Sequence, residues 1–361
     1  MRLNTLMKGV AAAAVALDAT AAVGEAEARV KMKIHSAFGR NIFVIGPGPY
    51  NVSKAVKSMS GGEVDMKIFE PGALVPGTKY FDPVSSGSID GAWGTPGYNV
   101  HKNFAYAFFS AVPFGPRGGE YLAWMRHGGG QELWDELSAG FNIKPFLAGN
   151  TGVQWGGWFN KEINSADDLK GLKMRIPGLG GDVMAKLGAS PVSIPGGQIY
   201  ENLVSGAIDA TEWVGPWNDS FMKFYEAAKY YYYPGMHEPG SMLALGMNKK
   251  WWDGLSKSDQ AIIEGAAAHE NDMMMAEYNM KSGSALTKLI TEQGVKLREF
   301  NDDVYDSFAE AAEEVFAGVR AHSPLAKKID ASFVAARKDL GGWSKISDQA
   351  FLSQRNRALG L

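Results

Sequence analysis

Arg175 breaks an apolar strand pattern, Lys173-Met-Arg-Ile176, directly before the Pro177-Gly178 interruption. Ligands of open α/β sheets bind beyond the carboxyl ends of strands. A guanidinium placed there offers a planar fork that matches a carboxylate in two parallel bonds. The competing reading is a structural arginine paired with an acidic neighbour. Glu212 lies between Thr211 and Trp213 in a second apolar stretch, where a carboxylate is costly unless paired or bound to a metal. With Gln154 it could supply hard oxygen ligands to Na⁺ or Ca²⁺. The plainer alternative is a Glu212–Arg175 salt bridge in an empty cleft. The two readings are compatible, because a ligand can compete for the same arginine. Trp93, Trp155, Trp158, Trp213 and Trp217 cluster around the same strands. Core packing is the common fate of an aromatic, but Trp93 and Trp213 flank a repeated position and are the expected cleft walls, with Tyr98.

Other chemistries lack their residues. The six histidines show no metal-ligand spacing, and HExxH and GxSxG are absent. His237-Glu238 resembles an acid–base pair, but without a triad pattern a place on the surface or at the cleft rim is the better reading. Gly178-Leu-Gly-Gly181 lacks both GxGxxG and a Lys-Ser/Thr ending, although a helix N-terminus there could help bind an anion. Met273-Met-Met275 reads as core packing. The chain has no cysteine, which removes thiolate sites and disulfides.

The elements that must position these residues occur twice. Ser205-Gly-Ala-Ile-Asp-Ala-Thr-Glu-Trp-Val-Gly-Pro216 has an earlier near copy in Ser86-Gly-Ser-Ile-Asp-Gly-Ala-Trp-Gly-Thr-Pro96. Lys31-Met-Lys-Ile34 similarly pairs with Lys173-Met-Arg-Ile176. Repetition in fixed order signals a repeated architecture, here two α/β lobes facing one another. Strands are expected at Val30–His35, Val64–Phe69, Ile89–Trp93, Ile143–Leu147, Val153–Phe159, Lys173–Ile176, Pro191–Ile194 and Ile208–Val214. Ala105–Val112 suits either a strand or a buried helix. Asn218 or Asp219 is expected to cap a helix running toward Tyr230. The proline-free stretch from Ser258 to about Gln293 predicts a helix about 50 Å long, enough to brace both lobes. Helices over Asp303–Ala321, Ala326–Lys338 and Ser344–Arg357 follow.

A chain of 361 residues accommodates two domains, and 45% hydrophobic with 21% charged residues fits a globular protein. A net charge of −3 gives no nucleic-acid footprint. Arg2 and Lys8, the alanine-rich run Gly9–Leu17 and the cleavage candidate Ala26-Glu27-Ala28 have the order of a secretory leader, although Asp18 interrupts its apolar core. The expected division is a leader at 1–28, lobe I at 29–152 with part of about 238–275, and lobe II at 153–237 with part of about 276–324. C-terminal helices occupy 325–361.

Asp168-Leu-Lys-Gly-Leu-Lys-Met-Arg-Ile-Pro177 resembles the signature of substrate-binding proteins of tripartite ATP-independent periplasmic (TRAP) transporters. The Leu203–Pro216 run and Tyr230-Tyr-Tyr-Tyr-Pro-Gly235 resemble the branch that binds 2-oxo acids or lactate. Asn150-Thr-Gly-Val-Gln-Trp-Gly-Gly-Trp158 and His237-Glu-Pro-Gly240 agree. The resemblance covers nearly the whole chain after the leader. It implies a two-lobed periplasmic binding protein with a long bridging helix, no catalysis, and delivery to membrane permease subunits. It also implies that Arg175 holds the substrate carboxylate. Gln154, Glu212 and the Trp213 carbonyl would then hold a Na⁺ or Ca²⁺ that bridges the ligand. Asn150, Trp93, Tyr98 and Trp213 are the further expected substrate contacts, with Phe38, His237 and Glu238 completing the cleft. Some relatives dimerise through an exchanged C-terminal helix, for which Ser344–Arg357 is the candidate. Met236 stands where some relatives carry an aromatic, which bears on pocket depth. An enzyme acting on a small carboxylate and a ligand-delivering sensor are the rival functions. The first lacks a nucleophile–base pair and a cofactor fingerprint, and the second is inseparable from transport by sequence.

Overall fold

The computed structural model describes residues 28–361. The expected leader lies outside the described residues except at its last position. Alternating apolar and charged residues make Val30–Ser36 (β1) and Val64–Phe69 (β2) a parallel pair, with helix Gly48–Met59 crossing between them. Gly91–Gly94 (β3) lies parallel on the other side of β1. Ala105–Val112 resolves into a 3₁₀ turn over Phe104–Phe109, buried from Ala105 to Phe109. Helices Gly118–His127 and Gly130–Ala139 lead to Ile143–Asn150 (β4).

The chain then crosses over. Gly157–Phe159 (β5), Lys173–Arg175 (β6), Ser190–Val192 (β7), Ala210–Thr211 (β8) and Tyr230–Tyr233 (β9) build a second sheet. Met242–Asn248 (β10) returns and inserts antiparallel between β3 and β4, while Lys296–Glu299 (β11) adds parallel to β9. The orders are β2-β1-β3-β10-β4 and β11-β9-β5-β8-β6-β7.

Several sequence expectations shift. The strand expected over Val153–Phe159 holds only at Gly157–Phe159, because Val153–Gly156 is crossing chain. Glu212–Val214 falls beyond the end of β8. Asn218 and Asp219 sit inside helix Pro216–Met222 rather than capping it, and that helix stops at Lys223, in the left-handed region at φ 58°. The tyrosine run is a strand, not a helix end. Gly178–Gly181 belongs to helix Gly178–Lys186, and a Cβ on Gly180 would stand 2.8 Å from that of His237, so glycine permits this close approach.

The repeat is present, but its register differs from the sequence pairing by two residues. Ile34 stands beside Gly91 and Met174 beside Ala210, so Lys173-Met-Arg-Ile176 matches Lys33-Ile-His-Ser36. Period-two alternation makes a shift of two residues nearly invisible in sequence. The aspartates of the two copies do the same work. Asp90 accepts from the Lys33 amide at 2.7 Å, and Asp209 accepts from the Lys173 amide at 3.0 Å. His35 therefore occupies in the first lobe the place of Arg175 in the second.

The bridging helix spans Lys257–Thr291 and is about 50 Å long. Ser256 caps it by accepting from the Asp259 amide at 3.1 Å. It packs on β4 and on helix Gly48–Met59 of the first lobe and on helix Pro216–Met222 of the second. Helices Asp302–Ala321, Pro324–Ile346 and Asp348–Leu359 complete the chain, so the last break falls at Ser347 rather than before Ser344. No helix among the described residues is long and apolar enough to cross a membrane.

Candidate ligand-binding site

Strand β6 ends in Arg175, and its neighbour β8 runs out into Glu212-Trp213-Val214. The crossing chain after β4 lies alongside, because the Trp155 amide donates to Val214 O at 2.9 Å and the Gln154 amide to Glu238 O at 3.0 Å. From the first lobe, the turn after β1 brings Phe38 and Ile45, and the segment after β3 brings Thr95 and Tyr98. Together they enclose a cavity of about 50 Å³, also lined by Thr151, Pro177 and Ser241. That exceeds the roughly 10–15 Å³ one water needs.

Arg175 and Glu212 are 2% and 1% exposed. Arg175 Nη1 donates to Glu212 Oε1 in a short ion pair, and Nε donates to Ile194 O at 3.1 Å. Its guanidinium carbon lies 5.2 Å from the Trp213 ring centre. Glu212 Oε2 contacts His237 Nε2 at 3.2 Å. Burial disfavours the His237 imidazolium, but the Glu212 hydrogen bond and the carboxylates of Glu212 and Glu238 outweigh it and raise its pKa. Burial pushes Glu238 up to about 7, and the nearby Glu212 charge adds to that. Burial also raises the Tyr98 hydroxyl.

Gln154 is 2% exposed; its Nε2 donates to Thr151 Oγ1 at 3.1 Å, and its Oε1 is buried with no partner. A lone buried acceptor beside a carboxylate suits a hard cation. No group of three or more His, Cys, Asp or Glu among the described residues could hold a metal, so a cation here would rely on amide and carbonyl oxygens as well as Glu212.

The structure thus gathers Arg175, Glu212, Gln154, Trp213, Tyr98, Phe38 and Glu238 around one cavity, with His237 behind Glu212. Two expected contacts lie elsewhere. Trp93 is fully buried in the core, where its indole packs so tightly on Gly48 that a Cβ there would stand 2.4 Å away. Strand alternation turns it from the cleft. Asn150 does not line the cavity either; its Oδ1 accepts from the Gly152 amide at 2.8 Å and shapes the crossing turn. Trp158 stacks on Tyr231 at 3.9 Å in the core.

Sequence reasoning missed Thr95, Thr151 and Ser241 on the wall. Thr95 was findable inside the repeated segment, as the counterpart of Val214, which also lines the cavity. It also missed the roles of Asn218 and Asp219. Asp219 Oδ2 accepts from Trp158 Nε1 and the Tyr231 hydroxyl, both at 2.9 Å, and its Oδ1 accepts from the Val214 and Gly215 amides at 3.1 Å. Burial nevertheless pushes Asp219 up to about 7.

Two sheets, a bridging helix and a buried charged cavity between the lobes define a two-lobed solute-binding protein. The chain belongs to the bacterial extracellular solute-binding protein family 7, whose profile matches residues 45–321. It is 38% identical over 304 residues to the monocarboxylate 2-oxoacid-binding periplasmic protein of Nostoc sp. (strain PCC 7120), covering 84% of this chain and 83% of that protein. A TRAP transporter solute-binding protein from Bordetella bronchiseptica RB50, a mixed-occupancy dimer with calcium and picolinate in one site, is similar with TM-score 0.89 and 33% identity, over 92% of this chain and 99% of that one. A TRAP periplasmic solute-binding protein from Pseudoalteromonas atlantica T6c, with sodium and pyruvate bound, is similar with TM-score 0.87 and 38% identity, over 90% of this chain and 99% of that one.

Proposed function

We propose that this protein captures a small 2-oxo or 2-hydroxy monocarboxylate, such as pyruvate, a longer 2-oxo acid or lactate, together with Na⁺ or Ca²⁺. It does so in the periplasm and delivers the acid to a TRAP permease. The observation that carries this reading is the unpartnered Gln154 Oε1 beside the buried Arg175–Glu212 pair. Arg175 takes the carboxylate, and Gln154, Glu212 and the Trp213 carbonyl hold the cation. A bound cation supplies positive charge shared between Glu212 and the ligand oxygens, which frees Arg175 from its internal partner. Tyr98, Phe38 and Trp213 accept the side chain. The lobes, 29–152 and 153–237 with their later segments, close as units because ligand contacts to both favour the closed state.

The same surface logic supports a homodimer. Trp343, Ile346 and Phe351 are 65%, 71% and 65% exposed on the C-terminal helices, and helix Asp348–Leu359 buries no residue. A second copy would cover them.

A thermal-shift screen of dialysed protein tests the capture reading. Pyruvate, longer 2-oxo acids, lactate and plain carboxylates are each tried with Na⁺, with Ca²⁺ and with chelator in Na⁺-free buffer. A ligand at about 100 times its Kd adds about 2.7 kcal/mol. Stabilisation confined to 2-oxo or 2-hydroxy acids, with a cation requirement, is expected. Equal shifts with plain carboxylates and no cation would remove Gln154 and Glu212 as ligands. Turnover of pyruvate or lactate would favour an enzyme.

A further inference from the structure

Asn218 is fully buried in helix Pro216–Met222, five residues beyond the cavity wall residue Trp213. Its side-chain amide joins three separate parts of the molecule. Oδ1 accepts from Trp213 Nε1 at 2.6 Å. Nδ2 donates one hydrogen to Phe43 O at 2.8 Å and the other to the Tyr278 hydroxyl at 2.8 Å. Phe43 belongs to the first-lobe turn that carries the cavity residues Phe38 and Ile45, and Tyr278 lies on the bridging helix. The indole donates only and the carbonyl accepts only, so the amide fits in one orientation.

We infer that Asn218 is a positioning residue that ties the Trp213 wall of the ligand cavity to the first lobe, and so couples occupation of the site to lobe closure. This rests on the proposed carboxylate capture at the same site. A second set of contacts lies around the same crossing: the Phe43 ring stacks on Phe221 at 3.6 Å, and Trp217 Nε1 donates to Glu277 on the bridging helix at 3.0 Å. Those contacts hold helix Pro216–Met222 against the first lobe, but they do not touch the cavity. The Asn218 amide alone among them bonds a residue that lines it.

Asn218→Asp separates the three links. A carboxylate oxygen still accepts from Trp213, and the Tyr278 hydroxyl can turn to donate. The bond to Phe43 O becomes a contact between two acceptors. Asn218→Ala removes all three links without adding a buried charge. The chain has no cysteine, so Met59→Cys and Val204→Cys, exposed by 52% and 59% on opposite lobes, accept spin labels cleanly. Distances between the labels are recorded by electron–electron double resonance, without ligand and with pyruvate plus Ca²⁺, alongside calorimetry. In the Asn218 parent a short-distance population is expected to grow with ligand. In both variants that population is expected to be depleted under both conditions and affinity to fall at least tenfold. Distance distributions and affinity equal to the parent's would overturn the coupling. A parent whose distances respond to none of pyruvate, lactate or a longer 2-oxo acid, each tried with Ca²⁺ and with Na⁺, sinks the carboxylate reading by itself. The ligand-free distributions then still decide the latch: depletion in the variants supports it, and a parent with no short population, or variants that match it, overturns it.

Discussion

Arg175 and Glu212 neutralise one another inside the cavity, and Glu212 gives its second oxygen to His237 at 3.2 Å. The ion pair is therefore internally satisfied, and under the proposed function an arriving acid would compete for an arginine that already has a partner. Selectivity then depends on what else is brought to Glu212.

Arg175→Ala should abolish acid binding in calorimetry. It should also destabilise the protein by about 3–5 kcal/mol, because Glu212 keeps a buried charge without its guanidinium. Unchanged affinity would remove Arg175 from the site. The double variant Arg175→Met with Glu212→Gln should recover most of the stability and none of the binding.

Glu212→Gln alone keeps the shape and removes the charge. The cation requirement, or binding altogether, should be lost. His237 should titrate lower, because the groups that raise its pKa against burial include Glu212. NMR titration of the imidazole and calorimetry with and without Ca²⁺ check both parts.

Gly196 sits against the edge of the Trp213 indole, where an added Cβ would stand 2.3 Å from the ring. Gly196→Ala should displace the indole into the cavity and weaken acid binding about tenfold or more. The expected stability loss is about 1–3 kcal/mol, the usual range for overpacking. Binding equal to wild type would show that the indole wall does not define the pocket.

Glu270 lies on the bridging helix, 5% exposed, with a 3.2 Å hydrogen bond from Asn51. Burial pushes its carboxyl up to about 7, opposed by Asn51 and assisted by the Glu277 charge. A carboxyl raised in the folded state stabilises fully below its unfolded pKa of about 4.3 and loses that contribution as pH rises through about 7. Glu270→Gln should therefore change little at pH 4 and stabilise by about 1–3 kcal/mol at pH 8. Thermal unfolding across that range checks the sign.

Phe351→Glu with Ile346→Lys should shift a dimer to monomer in sedimentation velocity without loss of pyruvate binding. None of the residues that line the cavity belongs to helix Asp348–Leu359.

The residues that could be read from sequence were those whose type conflicted with their surroundings. Arg175 and Glu212 stood out as charges in apolar strands, and the repeated Ser-Gly-x-Ile-Asp segment located the strand ends that carry them. Trp93 and Asn150, which do not line the cavity, were ambiguous for the opposite reason, since a large aromatic or an amide near a strand end suits a core or a turn as well as a wall. β10 went unread because a continuous apolar run has no period, and β11 because a short edge strand of charged residues resembles a loop. Asn218 was legible only as a helix cap. Its three partners at positions 43, 213 and 278 are adjacent only in the folded chain.

The placement of β10 bears on how the chain is made. Residues 242–248 lie between β3 and β4, so the first sheet stays in two pieces until about two-thirds of the polypeptide has been synthesised. The second sheet waits longer for its edge, until residues 296–299 arrive. Such distant pairings form slowly. A nascent chain built this way stays incompletely paired until most of its length is available.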